Sequence, residues 1–276
     1  MVMRRYCTFL IVLVLLSSSA LAHAGEYNGS AHEALSKSSL LIASLASIVI
    51  ILCISITALK KKKSSSFKLL MFAFIVLTAV ATTAYLSIST ILLNVRSESH
   101  GPVHWHADYE IWKCGEHLEF SESTGLSNRR GTPVFHGHND QRIHVEGVVT
   151  TFDDVQFKNF FSVMGGKLSD DGFELPTATG VVTARSGERC PLGEGKLQAF
   201  LYRVTNPDPS KNKGFFYTQT KLDDVEDYVP APYSLVPPGD CLILEFDAEK
   251  GKTERLCETY KVARDKGLIT EVENGG

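Results

Sequence analysis

The pattern of apolar and polar residues divides this chain into an apolar first third and a mainly polar remainder. An apolar run at residues 9–16 follows Arg4 and Arg5 and precedes small residues at 22 and 24. This arrangement predicts a signal peptide, 1–24, that is cleaved after Ala24. An uncleaved signal anchor is the alternative, and it would leave the orientation of the later segments unchanged.

Two longer stretches, 40–59 and 69–93, contain no charged residue over 20 and 25 positions respectively. At 1.5 Å per helical residue, each is long enough to cross a hydrocarbon layer of about 30 Å. We therefore predict transmembrane helices at 39–59 and 69–94. A buried helix of a soluble protein is the alternative, but such helices rarely lack every charge over this length.

The loop between the two helices, 60–68, carries five lysines. Lysine and arginine are enriched in cytoplasmic loops, so the helices are expected to form a hairpin in the cell membrane. A short segment, 25–38, and the long segment 95–276 would then lie outside. Asn28 begins an Asn-Gly-Ser glycosylation sequon, which fits this orientation. The lysines also suit contact with anionic headgroups, so the lipid bilayer is an expected partner.

Segment 95–276 shows the short apolar–polar alternation that is typical of strands. Strands are predicted at 104–111, 117–120, 134–138, 142–149, 196–204 and 241–246. Turn residues at 139–141 would join the third of these strands to the fourth. The one predicted helix, 151–164, would begin at a Thr151 cap and end at Gly165-Gly166. Its phenylalanines follow helical spacing and predict an apolar side that packs in the core.

This order predicts an α+β domain, mostly β with one helix, behind the transmembrane hairpin. A sheet that packs on one helix, with a last strand that follows a Gly-Asp turn, resembles a β-grasp arrangement. A small β-sandwich or barrel is the alternative. A fold resemblance of this kind implies no function.

The charge of the outer segment limits its partners. From Val95 onward there are 20 Lys and Arg against 29 Asp and Glu, a net charge of about −9. An acidic surface repels phosphate backbones, so no nucleic acid is expected as a partner, whereas cations are attracted. Another cell-surface or membrane protein remains a possible partner.

Four of the six cysteines lie in the outer segment. An even number in a domain outside the cell predicts two disulfides, with three possible pairings. A hairpin centred near Glu249 would place Cys241 opposite Cys257, which favours that pair and leaves Cys114 with Cys190. The other two pairings stay open at this point.

Histidine is the feature of the outer segment that suggests chemistry. Seven of the nine histidines in the chain fall between positions 100 and 144. Five of them and two carboxylates lie at alternating positions of predicted strands: His104, His106, Glu110, His136, His138, His144 and Glu146. Since residues i and i+2 point to the same side of a strand, each pair is expected to project together. If the sheet places these strands side by side, the imidazoles meet on one face.

Three or four imidazole and carboxylate ligands are enough to bind zinc or copper. The sequence has no nearby methionine or free thiol, which argues against copper(I). Nitrogen and oxygen donors suit zinc, copper(II), manganese or non-haem iron, and we expect zinc or copper(II). Histidines that only hydrogen-bond across the sheet are the alternative. His100 and His117 are not expected to take part.

Two resemblances accompany these motifs. The spacing His104-x-His106-x-x-x-Glu110 resembles the first metal motif of the cupins, but the second cupin motif is absent from the sequence. Segments 104–108, 114–116, 136–140, 142–147 and 237–241 are similar to those of uncharacterised archaeal proteins that carry a histidine-rich outer domain on a membrane anchor. This second resemblance implies a location and no mechanism.

The leading hypothesis is a membrane-anchored outer domain, not an enzyme, that binds a divalent transition metal for delivery, buffering or sensing. The second is a cell-surface interaction module with structural histidines. The third is a cupin-like metal-dependent enzyme, in which an open coordination position activates water and Glu146 acts as the base.

Overall fold

The computed structural model describes residues 31–123, 128–233, 236 and 239–272. The predicted signal peptide and the sequon at Asn28 lie outside these residues. The chain divides into two compact units at the boundary between Arg96 and Ser97.

The first unit consists of two long helices, α1 (Ala31–Leu59) and α2 (Ser65–Arg96), which pack against each other. Both are long and apolar enough to cross a membrane. None of the described residues of α2 is buried, and large side chains such as Leu69 are exposed. Helix α2 starts earlier than predicted, because the Ser64 hydroxyl accepts the backbone N–H of Phe67 at 3.2 Å and so caps its first turn.

The second unit is built on strands. Their bounds are β1 (Pro102–Lys113), β2 (Glu116–Leu118), β3 (Arg130–Gly131), β4 (Phe135–Gly137), β5 (Arg142–Val148), β6 (Lys167–Ser169), β7 (Gly172–Thr177), β8 (Gly180–Arg185), β9 (Arg189–Cys190), β10 (Gly193–Glu194), β11 (Lys196–Val204), β12 (Phe215–Leu222), β13 (Asp240–Asp247) and β14 (Ile269–Glu271). Within the described residues, nine of them form one mixed sheet in the order β14-β12-β11-β13-β1-β5-β4-β3, with β2 paired to β1. The pairings β1–β13 and β12–β14 are parallel.

One face of this sheet is covered by a helical segment and a small three-stranded sheet, β6–β8. The helical segment comprises a 3-10 turn (Phe152–Val155) and α3 (Phe157–Val163). Its side chains at 157, 160 and 161 are fully buried against the odd-numbered residues of β1, such as Tyr109. Each buried phenylalanine stabilises the fold by about 1.5–3 kcal/mol.

The predicted single helix over 151–164 is therefore interrupted. Gln156 has an extended backbone, and the hydroxyl of Thr151 makes no capping bond. The break lets the backbone N–H of Phe157 bind the carbonyl of Tyr228 at 2.8 Å, a tertiary contact that no local pattern contains. The predicted end at Gly165 is confirmed, since Gly165 adopts a left-handed φ of 79°.

The opposite face of the sheet packs against a second helix, α4 (Glu258–Asp265). Buried residues of α4, Tyr260 and Ala263, contact Cys241 and Ile243 of β13 in one core. The sequence analysis predicts only one helix in this unit and misses α4. The reason is its length of eight residues with only two buried positions, too few to produce a clear apolar stripe.

Two disulfides join Cys114 to Cys190 and Cys241 to Cys257, the pairs that the sequence favours. The hairpin from which the second pair was inferred does not exist, however. Strand β13 pairs with β1 and β11, and Cys257 is the residue that precedes α4. The cysteines meet because the chain crosses the face of the sheet and returns over β13.

Candidate metal centre

Strand pairing brings the paired histidines of separate strands into one row. In the register of the sheet, His106 of β1 lies opposite His144 of β5, and His144 lies opposite His136 of β4. Two residues further along each strand, on the same face, His104 lies opposite Glu146. Neighbouring strands are about 4.8 Å apart, so the rings of one row are held in contact by the backbone itself.

The face that carries these histidines is the face covered by α4, but the helix covers only part of it. Thr259 of α4 donates a hydrogen bond to Asp108, which also accepts one from Arg142 at 2.5 Å. His104 and His106 precede Asp108 on the same side of β1, beyond this contact. The histidine cluster is therefore open to solvent on one side, with the His104 side chain 60 % exposed.

The first group of possible ligands is His136, His138 and His144, each of which offers one ring nitrogen within 4.8 Å of the others. The ring centres of His138 lie 4.8 Å from those of His136 and of His144. Ligands about 2.1 Å from a tetrahedral zinc ion lie roughly 3.4 Å apart. The ligand atoms, at most 4.8 Å apart, would therefore have to approach one another by no more than about 1.4 Å.

Hydrogen bonds determine which nitrogen of each ring is available. His136 Nδ1 lies 3.1 Å from the carbonyl oxygen of Thr132, and His138 Nδ1 lies 3.1 Å from Oδ1 of Asn128. Both oxygens accept, so Nδ1 carries the hydrogen and Nε2 keeps a lone pair. In both rings, Nε2 is the available donor atom.

The ring of His144 is hydrogen-bonded through Nε2 instead of Nδ1. His144 Nε2 lies 2.9 Å from a carboxylate oxygen of Asp140, so Nε2–H donates and the lone pair is on Nδ1. His144 Nδ1 and His136 Nε2 are buried and have no hydrogen-bond partner among the described residues. An oxygen that fixes the ring from behind is the usual second partner of a metal-binding histidine.

Tight turns place two of the three oxygens, those of Thr132 and Asp140. Gly131 has φ of 118°, and a Cβ there would lie 2.6 Å from the carbonyl oxygen of Phe135, so the turn that holds Thr132 requires glycine. The turn between β4 and β5 places Asn139 and Gln141 in the left-handed region, with φ of 60° and 53°. The predicted turn at 139–141 is thus present, and it presents Asp140 to the ring of His144.

A second group consists of His104, His106 and Glu146, whose ligand atoms also lie within 4.8 Å of one another. Glu146 Oε1 is 3.2 Å from Nε2 of His104. The His106 ring lies 4.5 Å from that of His104 and 4.7 Å from that of His144. His106 Nε2 is buried without a hydrogen-bond partner among the described residues.

Burial also governs the protonation of the cluster. Desolvation, together with the neighbouring His144 and His104, lowers the pKa of His106 from 6.5 to about 4. Desolvation lowers the pKa of His136 to about 4 as well, although the nearby Glu146 acts in the opposite direction. Both rings are therefore neutral at neutral pH, the form that binds metal. Burial acts to raise the pKa of Asp140, but the hydrogen bond from His144 and its charge outweigh it and lower the pKa.

Glu110 is the one predicted ligand that the structure does not bring to the cluster. It lies four residues beyond His106 on β1, a distance of about 13 Å along a strand. Its carboxylate accepts a hydrogen bond from the indole of Trp112 at 2.9 Å and lies 3.9 Å from Lys261 of α4. Glu110 lies on the same face of β1 as His104, as predicted. Its position along the strand, however, is beside α4 and away from the other ligands.

The sequence analysis also misses the residues that orient the rings. Thr132 and Asn128 fall in a predicted loop, and Asp140 is interpreted there only as a turn residue. An acidic residue four positions before His144 is a signal that could have identified Asp140. His100 and His117 belong to neither group of possible ligands among the described residues, and His117 lies against Trp112, with ring centres 4.7 Å apart.

The arrangement can bind a cation with nitrogen ligands. The geometry of the described side chains supports this capacity. Comparison of the chain with protein-family models, with curated proteins and with solved structures gives no match.

Proposed function

We propose that the second unit of this protein binds a divalent transition metal, zinc or copper(II), through His136, His138 and His144. The observation that carries the proposal is the proximity of the three rings. Each offers one nitrogen within 4.8 Å of those of the other two, and each has one nitrogen held by an oxygen of Thr132, Asn128 or Asp140.

A purely structural role for these histidines is less favourable on energetic grounds. A buried polar atom without a partner costs about 1–3 kcal/mol. The cluster contains three such nitrogens among the described residues, on His106, His136 and His144. Rings that served only to link strands would be expected to pair both nitrogens, whereas a metal ion bound by His136, His138 and His144 would satisfy the nitrogens of His136 and His144.

The donor set favours zinc and copper(II) over softer ions. The four cysteines of this unit are in disulfides, and Met164 is buried in the core on the other face of the sheet. Imidazole with optional carboxylate suits zinc and copper(II), while copper(I) prefers sulfur.

The proposed setting is the outer side of a membrane. The exposed apolar surface of α1 and α2 suits lipid, the lysines at 60–63 favour a cytoplasmic loop, and two disulfides suit an oxidising compartment. A metal site tethered there would deliver, buffer or sense the ion, and another cell-surface or membrane protein would be its partner.

Two finer expectations belong with this proposal. The parallel pairing of β1 with β13, beside a helix packed on the sheet, supports a β-grasp-like arrangement. The combination of a histidine-rich unit with two apolar helices is what the resemblance to archaeal membrane-anchored proteins implies. Neither expectation specifies the metal or the partner.

The test is metal loading of the full-length chain in detergent, produced without a polyhistidine tag. After incubation with excess zinc and dialysis, we expect at least one tightly bound equivalent by elemental analysis. His138→Ala is the sharpest variant, because His138 is only partly buried and its loss leaves the core intact. It should abolish tight binding while the metal-free protein keeps its unfolding temperature within about 2 °C.

The matched control is His100→Asn. His100 has φ of 53°, a conformation that asparagine tolerates, and it is outside both groups of possible ligands. This variant should load like the unmodified protein. Loading below about 0.2 equivalents in the unmodified protein, or equal loading in His138→Ala, would refute the proposal.

A further inference from the structure

The second group of possible ligands, His104, His106 and Glu146, shares no residue with the metal site proposed above. We infer that it binds a second divalent transition-metal ion and that the carboxylate of Glu146 bridges the two ions. This inference rests on the proposed metal-binding function, because a bridge requires the first ion.

The two oxygens of Glu146 face different groups. Oε1 lies 3.2 Å from Nε2 of His104, and Oε2 lies 3.7 Å from Nε2 of His136, beyond hydrogen-bond length. A carboxylate has two acceptor oxygens and can therefore serve two ions at once. Two-metal sites of proteins hold their ions about 3.5–4 Å apart, a spacing that such a bridge spans.

His106 provides an independent indication of a second ion. Its Nε2 is buried and has no hydrogen-bond partner among the described residues, and it belongs to the group that contains Glu146. Its ring lies between those of His104 and His144, with centres 4.5 and 4.7 Å away. The ion at His136, His138 and His144 would leave this nitrogen without a partner, so a different ion must bind it.

Access and charge predict the order in which the ions bind. The side chains of His104 and Glu146 are 60 % and 42 % exposed, so an ion can reach them from solvent. Two divalent ions bring four positive charges, which the carboxylates of Glu146 and the nearby Asp140 offset in part, while Asp108 already pairs with Arg142. Because the ions repel each other, the second should bind on the order of tenfold more weakly, or worse.

The experiment is titration of the full-length, tag-free chain in detergent with copper(II), followed by electron paramagnetic resonance. The unmodified protein should bind two ions, the first tightly and the second more weakly. As the second ion binds, the spins couple, so the integrated signal should fall below the copper content and a half-field signal should appear. Glu146→Gln should bind one ion and show an isolated copper(II) signal.

A second variant and a control keep the test informative. His104→Ala, at an exposed position, should also reduce the stoichiometry from two ions to one. Glu116→Gln replaces an exposed glutamate of β2 outside the cluster, and it should keep both ions and their coupling. Circular dichroism of each variant establishes that it is folded.

The outcomes separate the two proposals. One ion in the unmodified protein, dependent on His138 and indifferent to His104, would overturn the second site and leave the proposed function standing. Two ions with uncoupled spins, unaffected by Glu146→Gln, would overturn the bridge. The absence of stoichiometric binding in the unmodified protein would overturn both.

Discussion

Acid should destabilise the metal-free protein in a pH range where most carboxylates do not titrate. His106 and His136 have pKa values of about 4 in the folded chain, against 6.5 for an unperturbed histidine. Between these values the unfolded chain binds protons that the folded chain does not. The stabilising contribution is therefore complete above pH 6.5 and is lost as the pH falls toward 4.

The magnitude follows from the size of the shift. Lowering the pKa of one histidine from 6.5 to about 4 corresponds to about 3.4 kcal/mol. Inside the range, one extra proton on the unfolded state changes the free energy of unfolding by about 1.4 kcal/mol per pH unit. His106 and His136 together would give about twice that slope, as an upper limit, since their rings belong to one coupled cluster.

The assay uses the two tryptophans of the chain, Trp105 and Trp112, which both lie in β1. Their fluorescence therefore reports urea unfolding of the second unit even in the full-length chain. Measurements with a chelator present at pH 4.5, 5.5, 6.5 and 7.5 give the slope. His136→Gln should reduce it by about 1.4 kcal/mol per pH unit, whereas His100→Asn should leave it unchanged.

The comparison between variants removes the contribution of the carboxylates, which both proteins share. A free energy of unfolding that is constant between pH 4.5 and 6.5 would show that the histidines are not desolvated in the folded chain. An identical slope in His136→Gln and the unmodified protein would assign the proton uptake to other groups. Either result would refute the reasoning about burial.

Further outcomes are expected. Asp140→Ala should weaken zinc binding about 10- to 100-fold in a chelator competition, since an oxygen behind a ligating ring improves affinity; unchanged affinity would mean that this oxygen does not orient the ring. Replacing Cys241 and Cys257 by alanine should lower the free energy of unfolding by about 3 kcal/mol in urea, given the separation of 16 residues; a mass map of the unreduced protein that joined either cysteine to another partner would contradict the pairing. A membrane-impermeant thiol reagent should label Ser210→Cys in intact cells and Ser65→Cys only after permeabilisation, and the opposite result would invert the proposed topology.

Zinc binding should raise the free energy of unfolding at neutral pH and raise it less in acid, where protons compete with zinc for the histidines. At neutral pH, a free zinc concentration of 100 times Kd should raise the free energy of unfolding by about 2.7 kcal/mol. Because metal and protons compete for the same ring nitrogens, this increment should shrink as the pH falls. Unfolding curves with and without zinc at each pH measure it, and an increment independent of pH would point to ligands other than histidine.

Local patterns in the sequence predict those elements whose structure depends on residues close by along the chain. The two apolar helices, the strand character of β1 and β5 and the turn at 139–141 all follow from periodicity or composition within about 20 residues. Alternation also places His104 with His106, and His144 with Glu146, on the same side of their strands. These results need no knowledge of the rest of the fold, because the side-chain period of a strand is a property of its own backbone.

The tertiary structure alone decides which of those side chains meet. The pairing of β1 with β5 and of β5 with β4 sets His106, His144 and His136 in one row, whereas α4 isolates Glu110 from the row. Register is a property of two strands together, and a shift by one residue would turn every histidine to the other face.

The choice of ring nitrogen depends on contacts over shorter distances along the chain, four residues for Thr132 and Asp140 and ten for Asn128. The pairing of β3, β4 and β5 holds these oxygens against the rings, and the residue types alone do not specify it. Sequence alone determined that the histidines would be concentrated on strands of an acidic unit that follows two apolar helices. The packed sheet determined which nitrogens converge, because that depends on distances between residues that the linear chain keeps apart.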